Sequence, residues 1–273
     1  MKIGFYGGGA VGKAVFERIA SQSGSDIAFV HLRDADDTPL AEAADRRGVP
    51  ILPFRDINSE DALDTVRNLM PDLLISANAK QIFRKALLSM PKHGAINVHG
   101  GLLPRQRGGG GAFIGLINGE TMGCTVHFID AGVDSGDIIA QEEIPMGPDD
   151  TMGVFQERCL RAMPELVYGA VRDIAAGTVT RKSQAGAHFY YVPPKAEWDE
   201  LIDWTEPAQV IYDKIRGRTP GPTNFFFYGD KLVEAREAAL EPRLLSHRNT
   251  PGIVLIRSKT NGVLVKTGDS GLW

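Results

Sequence analysis

Two polar side chains stand at the end of an otherwise apolar run in the stretch GAINVHGG. Asn97 and His99 are two residues apart, so on a β-strand both point to one face, while Val98 points to the core. In an open parallel sheet, ligands bind in the crevice beyond the carboxyl ends of the strands. A histidine there can exchange protons near neutral pH. The pair therefore indicates a catalytic or binding site. A packed histidine and a turn-capping asparagine are the alternatives that it leaves open.

A glycine-rich turn near the start of the chain is a second candidate site. Gly7, Gly9 and Gly12 spell G-x-G-x-x-G between an apolar run and a helix-like stretch, which is the pattern of a dinucleotide-binding turn. Asp34, after the second apolar run, loosely fits the acidic residue that holds a ribose hydroxyl in such proteins. The alternative is structural, because a tight strand-to-helix turn requires glycine whatever binds above it. The motif alone does not decide between the two.

Short apolar runs alternate with longer amphipathic stretches over the first 145 residues. The predicted strands are KIGFY, IAFVHL, PILPF, DLLISA and GAINVH, and the stretches between them are predicted helices. Strands that alternate with helices form a parallel sheet with helices on both faces. The predicted fold class is therefore α/β, with a Rossmann-like, mostly parallel sheet in a catalytic domain over residues 1–180.

Beyond that sheet, the sequence predicts two more strands, a long helix and a second domain. The strand-like runs TMGCTVHFID and SGDIIAQEEI flank a turn, and the helix that follows should kink or break at Pro164. Residues 181–204 contain the run YYVPPKAEW and form a predicted linker. Residues 205–273 predict a helix and several short strands, hence a small β-rich, OB- or barrel-like domain. The sequence ends where such a barrel requires another strand, so a shortened domain is an alternative.

Composition excludes several classes of function. The formal net charge of −4 argues against a general polyanion binder. Two cysteines without C-x-x-C spacing support neither a disulfide framework nor a zinc cluster, and no metal is expected. No signal peptide or membrane-spanning run is found, so we expect a cytoplasmic protein without a membrane partner. His31, His93 and His127 are interpreted as ordinary packed or exposed histidines.

The residues around the Asn97 and His99 pair resemble the folate-dependent formyltransferase family. That family carries the pattern N-x-H-x-x-L-L-P-x-x-R-G, which is matched here by Asn97, His99, Leu102, Leu103, Pro104, Arg107 and Gly108. Some 35 residues later the family has a loop that reads roughly D-x-G-x-D-x-G-D, and residues 130–137, DAGVDSGD, match it. Residues 201–217 look similar to the start of the family's C-terminal domain. Three motifs in order make the resemblance specific.

The resemblance implies transfer of a formyl group from 10-formyltetrahydrofolate to an amine, with Asn97, His99 and Asp134 as the catalytic residues. Asn97 would offer an amide N–H to the oxygen that becomes negative. His99 would exchange the proton and, when charged, could stabilise the same oxygen. Asp134 would orient the imidazole and favour its charged form. Which group is the base stays open.

By the same resemblance, residues 76–83 and the backbone around 130–134 should line the pterin pocket. The residues expected to bind the folate are Ser76, Ala77, Asn78, Lys80, Ile82, Leu103, Pro104, Asp130, Gly132 and Val133. The acceptor loop is expected to comprise Arg107, Gly108, Gly109 and Gly110. The family usually has a proline at the position of Gly111, so the glycine here predicts a more mobile loop. In this family the first glycine-rich turn carries no dinucleotide, so no nicotinamide cofactor is expected.

The acceptor amine is the least determined feature. A small amine such as a nucleotide-linked amino sugar is favoured, because a short loop after the second strand resembles the aminoarabinose formyltransferase branch. Methionyl-tRNA is the first alternative, but the tRNA enzymes carry a basic insertion where this chain has the acidic DADDTPLAEAADRRG. The hydrolase domain of 10-formyltetrahydrofolate dehydrogenase is a further alternative, although it lacks the counterpart of Asn97. A non-enzymatic folate-binding protein is an alternative of another class, and homodimer formation is left open.

Overall fold

The computed structural model describes residues 1–22, 26–185, 200–221, 223–243 and 249–273. The chain divides into two compact units, formed by residues 1–112, 121–145 and 156–191 and by residues 113–120, 146–155 and 192–273. The predicted domain boundaries stay a prediction, and most of the predicted linker, residues 186–199, lies outside the described residues. Within the described ranges, no helix is both long enough and apolar enough to cross a membrane.

A seven-stranded sheet forms the centre of the first unit. Its strands are β1 (Lys2–Gly7), β2 (Asp26–Leu32), β3 (Ile51–Leu52), β4 (Leu73–Ala77), β5 (Ala95–His99), β6 (Gly123–Phe128) and β7 (Ile138–Glu143). Their spatial order is β3-β2-β1-β4-β5-β6-β7. Strands β1 to β5 are parallel, whereas β6 and β7 are antiparallel to their neighbours. The predicted α/β class with a mostly parallel sheet is confirmed.

Helices pack on both faces of this sheet. The helices among the described residues up to 177 are α1 (Gly9–Ala20), α2 (Thr38–Asp45), α3 (Glu60–Leu69), α4 (Lys85–Leu88), α5 (Gly111–Ile117) and α6 (Met152–Ala176). Most of α5 and the first turn of α6 belong to the second unit. Adjacent residues of β1 point to opposite faces. The ring of Phe5 meets Phe16 of α1 edge to face, whereas Tyr6 packs in a cluster with Val66 of α3 and Leu87 of α4. Burial on both faces explains why the strands are almost wholly apolar.

The long helix α6 continues through Pro164 as one element, so the predicted break at this residue does not occur. A proline inside a helix removes one backbone hydrogen bond and crowds the preceding turn. Residues on both sides of it are nevertheless buried at helical spacing, namely Cys159, Met163, Val167 and Ile174. This apolar stripe stabilises the helix by packing, which outweighs the local cost.

The described part of residues 192–273, the C-terminal segment of the second unit, contains one helix and five short strands. They are α7 (Ala208–Arg218), the hairpin β8 (Asn224–Tyr228) and β9 (Lys231–Ala235), and the antiparallel strands β10 (Val254–Ser258), β11 (Gly262–Lys266) and β12 (Gly271–Leu272). Ile211, Tyr212 and Ile215 of α7 pack with Ile202 and Leu272. The predicted small β-rich region is therefore confirmed. Strand β12 lies in the terminal stretch for which the sequence predicted no strand.

The protein's own side chains occupy the glycine-rich turn between β1 and α1. A Cβ atom at Gly12 would lie 3.1 Å from the carbonyl carbon of Gly7, closer than most Cβ contacts, so the strand and the helix approach each other tightly here. The N–H of Gly9 donates to the carboxylate of Asp37 at 2.5 Å. This carboxylate lies at the positive end of the helix dipole, where dinucleotide-binding proteins place the pyrophosphate. The contact favours the structural alternative for the turn.

Candidate active site

Asn97 and His99 lie at the carboxyl end of β5, and the register of the sheet sets their neighbours. Asn97 is paired with Ser76 of β4 on one side and with His127 of β6 on the other. The Ser76 hydroxyl donates to Asn97 Oδ1 at 2.8 Å, and Asn97 Nδ2 lies 3.2 Å from His127 Nε2. These two contacts fix the orientation of the amide. They leave its second N–H without a partner in the described part of the chain, and so available to a substrate oxygen.

Asp134 reaches this pair from the loop between β6 and β7. It adopts a φ of 49°, in the left-handed region that non-glycine residues seldom occupy. Its Oδ2 accepts the N–H of Gly108 at 2.9 Å and lies 3.5 Å from His99 Nδ1, while Oδ1 lies 3.4 Å from His127 Nε2. The fold therefore brings together the three residues predicted to be catalytic.

Both ring nitrogens of His99 face hydrogen-bond acceptors. Nε2 donates to the carbonyl oxygen of Gln106 at 2.5 Å, which leaves Nδ1 directed towards the Asp134 carboxylate. Burial lowers the pKa of His99, because water cannot solvate the imidazolium, whereas the charge of Asp134 and the Gln106 carbonyl oppose this shift. The protonation of His99 thus depends on the carboxylate beside it.

Asp134 is ionised at neutral pH. Burial favours its neutral form, but the hydrogen bond from His127, the charge of His99 and the N–H of Gly108 outweigh that effect. The pKa of Asp134 consequently lies well below its usual range. The carboxylate can therefore stabilise a positive charge on the imidazole during proton transfer.

His127 is a site residue that sequence reasoning interpreted as an ordinary histidine. It is buried, and its Nδ1 donates to the carbonyl oxygen of Phe128 at 2.8 Å. In the neutral ring, Nε2 accepts a hydrogen bond from the amide of Asn97. In the charged ring, the same nitrogen donates to Asp134. His127 therefore contacts two of the three predicted catalytic residues.

A cavity of about 180 Å³ lies beside Asn97, His127 and Asp134, whereas His99 is not part of its lining. Five of the residues predicted to bind the folate line it, namely Ser76, Ile82, Asp130, Gly132 and Val133. The rest of the lining consists of Ala79, Gln81, Phe83, Asn97, His127, Ile129, Ala131 and Asp134. Apolar side chains thus alternate with a few polar groups and with the backbone of the 130–134 loop. This composition suits a flat heteroaromatic ring with hydrogen-bonding edges, as in a pterin.

The other five residues predicted to bind the folate do not line this cavity. Two of them contact the end of the sheet near α1 instead: Asn78 donates to the Gly8 carbonyl at 3.0 Å, and Lys80 pairs with Asp34 at 3.0 Å. The remaining three are Ala77, Leu103 and Pro104, of which the first two are buried. A role for these five residues in folate binding stays a prediction.

The predicted acceptor loop is anchored at its beginning. Arg107 is buried and donates to the side chain of Gln184, and the N–H of Gly108 is bound to Asp134; Gly109 is exposed and Gly110 half-buried. At Gly111, where the family usually has proline, a Cβ atom would lie 2.2 Å from the carbonyl oxygen of Gln106. Only glycine fits this position. The greater mobility of the loop stays a prediction.

Comparison with known proteins shows the family. Residues 35–171 match the family model described as formyl transferase, and residues 196–273 match the formyl transferase C-terminal domain. The chain is 34% identical to the methionyl-tRNA formyltransferase of Geobacter sulfurreducens over 235 residues, which cover 86% of this chain and 73% of that protein. The chain belongs to the formyl transferase family and is a formyltransferase enzyme, as the resemblance in its motifs indicated.

Solved structures agree with the fold. A glycinamide ribonucleotide transformylase from Symbiobacterium toebii matches with a TM-score of 0.59 and 28% identity, over 65% of this chain and 88% of that chain. The sugar 3N-formyltransferase WlaRD, whose crystal structure was determined in the presence of dTDP and 5-N-formyl-THF, matches with a TM-score of 0.73 and 16% identity, over 100% of this chain and 96% of that one. Enzymes of this family use 10-formyltetrahydrofolate. Among the described residues, no group of three or more His, Cys, Asp or Glu could hold a metal ion.

Proposed function

We propose that this enzyme moves the formyl group of 10-formyltetrahydrofolate to a primary amine, and that Asn97, His99 and Asp134 carry out the transfer. The observation that carries the proposal is that Asn97 and Asp134 line one cavity and that Nδ1 of His99 lies 3.5 Å from the Asp134 carboxylate. The second N–H of Asn97, which has no partner among the described residues, donates to the formyl oxygen as that oxygen gains negative charge. Removal of one such donor typically lowers the rate about 10²- to 10³-fold.

His99 is the group through which we propose that the proton passes from the amine towards the departing folate nitrogen. Its imidazole titrates near neutral pH in its unperturbed form, and Asp134 stabilises the charged state while the proton is held. The pterin ring would occupy the cavity lined by Ile82, Phe83 and the 130–134 loop, and the bound folate would supply the formyl group.

Methionyl-tRNA is the acceptor that the sequence comparisons favour. Eight curated relatives with 31% to 34% identity are all methionyl-tRNA formyltransferases. This evidence outweighs the preference for an amino sugar that the loop after the second strand suggested. We therefore propose methionyl-tRNA as the first acceptor to test.

A small amine is the second candidate, and the loop between β2 and α2 supports it. This loop spans residues 33–37 only, and Asp34 in it is paired with Arg33 and Lys80. Residues 203–273 contain ten Lys and Arg against eight Asp and Glu, so that region has no strong excess of positive charge for a polyanion. Both observations suit an uncharged or small acceptor better than tRNA.

One incubation distinguishes these candidates. The protein is mixed with 10-formyltetrahydrofolate and with methionyl-tRNA, a panel of nucleotide-linked amino sugars, small amines or no acceptor, and tetrahydrofolate release is followed. We expect release that depends on one amine and a formylated product of matching mass. Equal release in buffer alone would identify a hydrolase, and folate binding without release would identify a binding protein. The cytoplasmic location and a homodimer stay predictions.

A further inference from the structure

Gln184 lies where three segments of the first unit meet. Lys182 and Ile138 form an antiparallel bridge in which both N–H···O distances are 2.9 Å. This bridge brings the chain after α6 alongside the start of β7, at the end of the loop that bears Asp134. Gln184, two residues further on, is only 5% exposed. A buried glutamine requires hydrogen-bond partners for its amide.

The side chain of Gln184 joins two functional loops. Its Nε2 donates to the carbonyl oxygens of Asp134 at 3.1 Å and of Gly136 at 2.5 Å. Its Oε1 accepts from Nε of Arg107 at 3.0 Å, and its backbone carbonyl accepts from Nη2 of the same arginine at 3.3 Å. Both amide hydrogens and the amide oxygen are therefore used. One end of the amide holds the Asp134 loop and the other holds the start of the acceptor loop.

These hydrogen bonds, together with the chain itself, form a closed ring that includes Asp134. Asp134 accepts the N–H of Gly108 through its side chain, Gly108 follows Arg107 in the chain, Arg107 is bound to Gln184, and Gln184 returns to the backbone of Asp134. The backbone of Asp134 has a φ of 49°. A non-glycine residue keeps such a conformation only where its surroundings hold it. The two hydrogen bonds from Nε2 of Gln184 help to keep the backbone of Asp134 in this conformation.

We propose that Gln184 is a positioning residue for formyl transfer, which holds the Asp134 carboxylate against His99 and couples its position to the acceptor loop. Gln184 contacts none of the reacting groups, so it acts through Asp134. This inference rests on the proposed function. An amide is needed because it combines two donors with one acceptor. Glutamate would keep an acceptor for Arg107 but would offer no N–H to the two carbonyls.

Kinetics of Gln184→Leu and Gln184→Glu test the proposal. A misplacement of about 1 Å can lower a rate about 100-fold. We expect kcat to fall about 10- to 100-fold in both variants, with KM for 10-formyltetrahydrofolate within about twofold of the wild type. Gln209→Leu is the control, since it removes an amide donor bound to Asp213 within α7. Full kcat in Gln184→Glu, or a kcat within twofold of wild type in Gln184→Leu, would overturn the proposal.

Hydrogen exchange gives a readout that does not depend on activity. The N–H of Gly108 is protected by the Asp134 carboxylate, so loosening of Asp134 should expose it. We expect exchange of the Gly108 N–H to accelerate at least tenfold in Gln184→Leu. The buried amides of β1 in the same variant should exchange at wild-type rates, and so should the Gly108 N–H in Gln209→Leu. Uniformly faster exchange throughout the first unit would indicate a general structural role and contradict the proposal. A wild-type protein that fails to transfer formyl groups, yet shows this local response, would overturn the proposed function but leave the positioning contact in place.

Discussion

Substitution of Asp134 by asparagine removes one charge from the site and little else. Asparagine has nearly the same shape and keeps an oxygen that can accept the N–H of Gly108. The lost charge lies 3.5 Å from Nδ1 of His99 and 3.4 Å from Nε2 of His127. Because the pKa of Asp134 lies well below its usual range, that charge is present at every pH at which the enzyme would be assayed.

The magnitude of the effect follows from the distance to His99. Two unit charges 3.5 Å apart interact by about 5 kcal/mol at an effective dielectric constant of about 20. One pKa unit corresponds to about 1.4 kcal/mol, so about three units is the upper limit of the shift. An opposite charge at this range typically shifts a pKa by about one to three units. Burial already lowers the pKa of His99, and loss of the carboxylate lowers it further.

The assay is kcat against pH for the wild type and for Asp134→Asn, from neutral pH down to the lowest pH at which both proteins stay folded, because burial lowers the pKa of His99. We expect kcat at neutral pH to fall about 10²- to 10⁴-fold, as on loss of general acid–base catalysis. The limb of the profile that reports His99 should move to lower pH by about one to three units. Asp137→Asn, which removes a charge from the same loop away from the cavity lining, is the control. An unmoved limb, or a kcat within threefold of wild type, would refute the reasoning.

Substitutions at three further positions probe the neighbouring contacts. Asn97→Ala should lower the single-turnover rate about 10²- to 10³-fold without unfolding the protein, and a rate close to wild type would exclude the amide as the oxygen's donor. Gly111→Ala should destabilise the protein by about 1–3 kcal/mol in urea denaturation, because the new methyl group collides with the Gln106 carbonyl; an unchanged midpoint would contradict this close packing. His127→Leu should lower kcat about tenfold or more, because it frees the Asn97 amide that catalysis needs aligned to within about 1 Å. His127→Gln should recover part of that loss, and equal rates in both variants would count against an orienting role.

Features that depend on local periodicity could be predicted from the sequence. Side chains of a strand alternate between faces, so the two-residue spacing of Asn97 and His99 is enough to predict that both lie on one face of β5. The alternation of apolar runs and amphipathic stretches likewise predicted the parallel sheet. The sequence also shows the apolar stripe of α6. Whether packing of this stripe outweighs the cost of Pro164 inside the helix depends on tertiary contacts, which the sequence does not show.

Features that depend on register between distant segments could not be predicted in this way. His127 becomes a site residue only because β6 runs antiparallel to β5 in a register that sets it opposite Asn97. Nothing in the run TVHF distinguishes it from a packed histidine. Gln184 is a stronger case, since its role depends on the bridge between Lys182 and Ile138 in a stretch without regular secondary structure. Only the resemblance to a known family predicted that residues as far apart in the sequence as Asn97 and Asp134 belong to one site.

The glycine-rich turn shows why a motif must be judged with its surroundings. The turn keeps the close approach of strand and helix that dinucleotide-binding proteins need, and α1 still presents a positive N-terminus. A pyrophosphate at this end would have to displace the Asp37 carboxylate, which is bound to the N–H of Gly9 and also caps α2. Binding of a pyrophosphate would therefore break both contacts of Asp37 and would bring two negative groups together. The same geometry that suits a phosphate thus serves here to join α1 to α2, while two of the residues proposed to be catalytic lie at the end of β5.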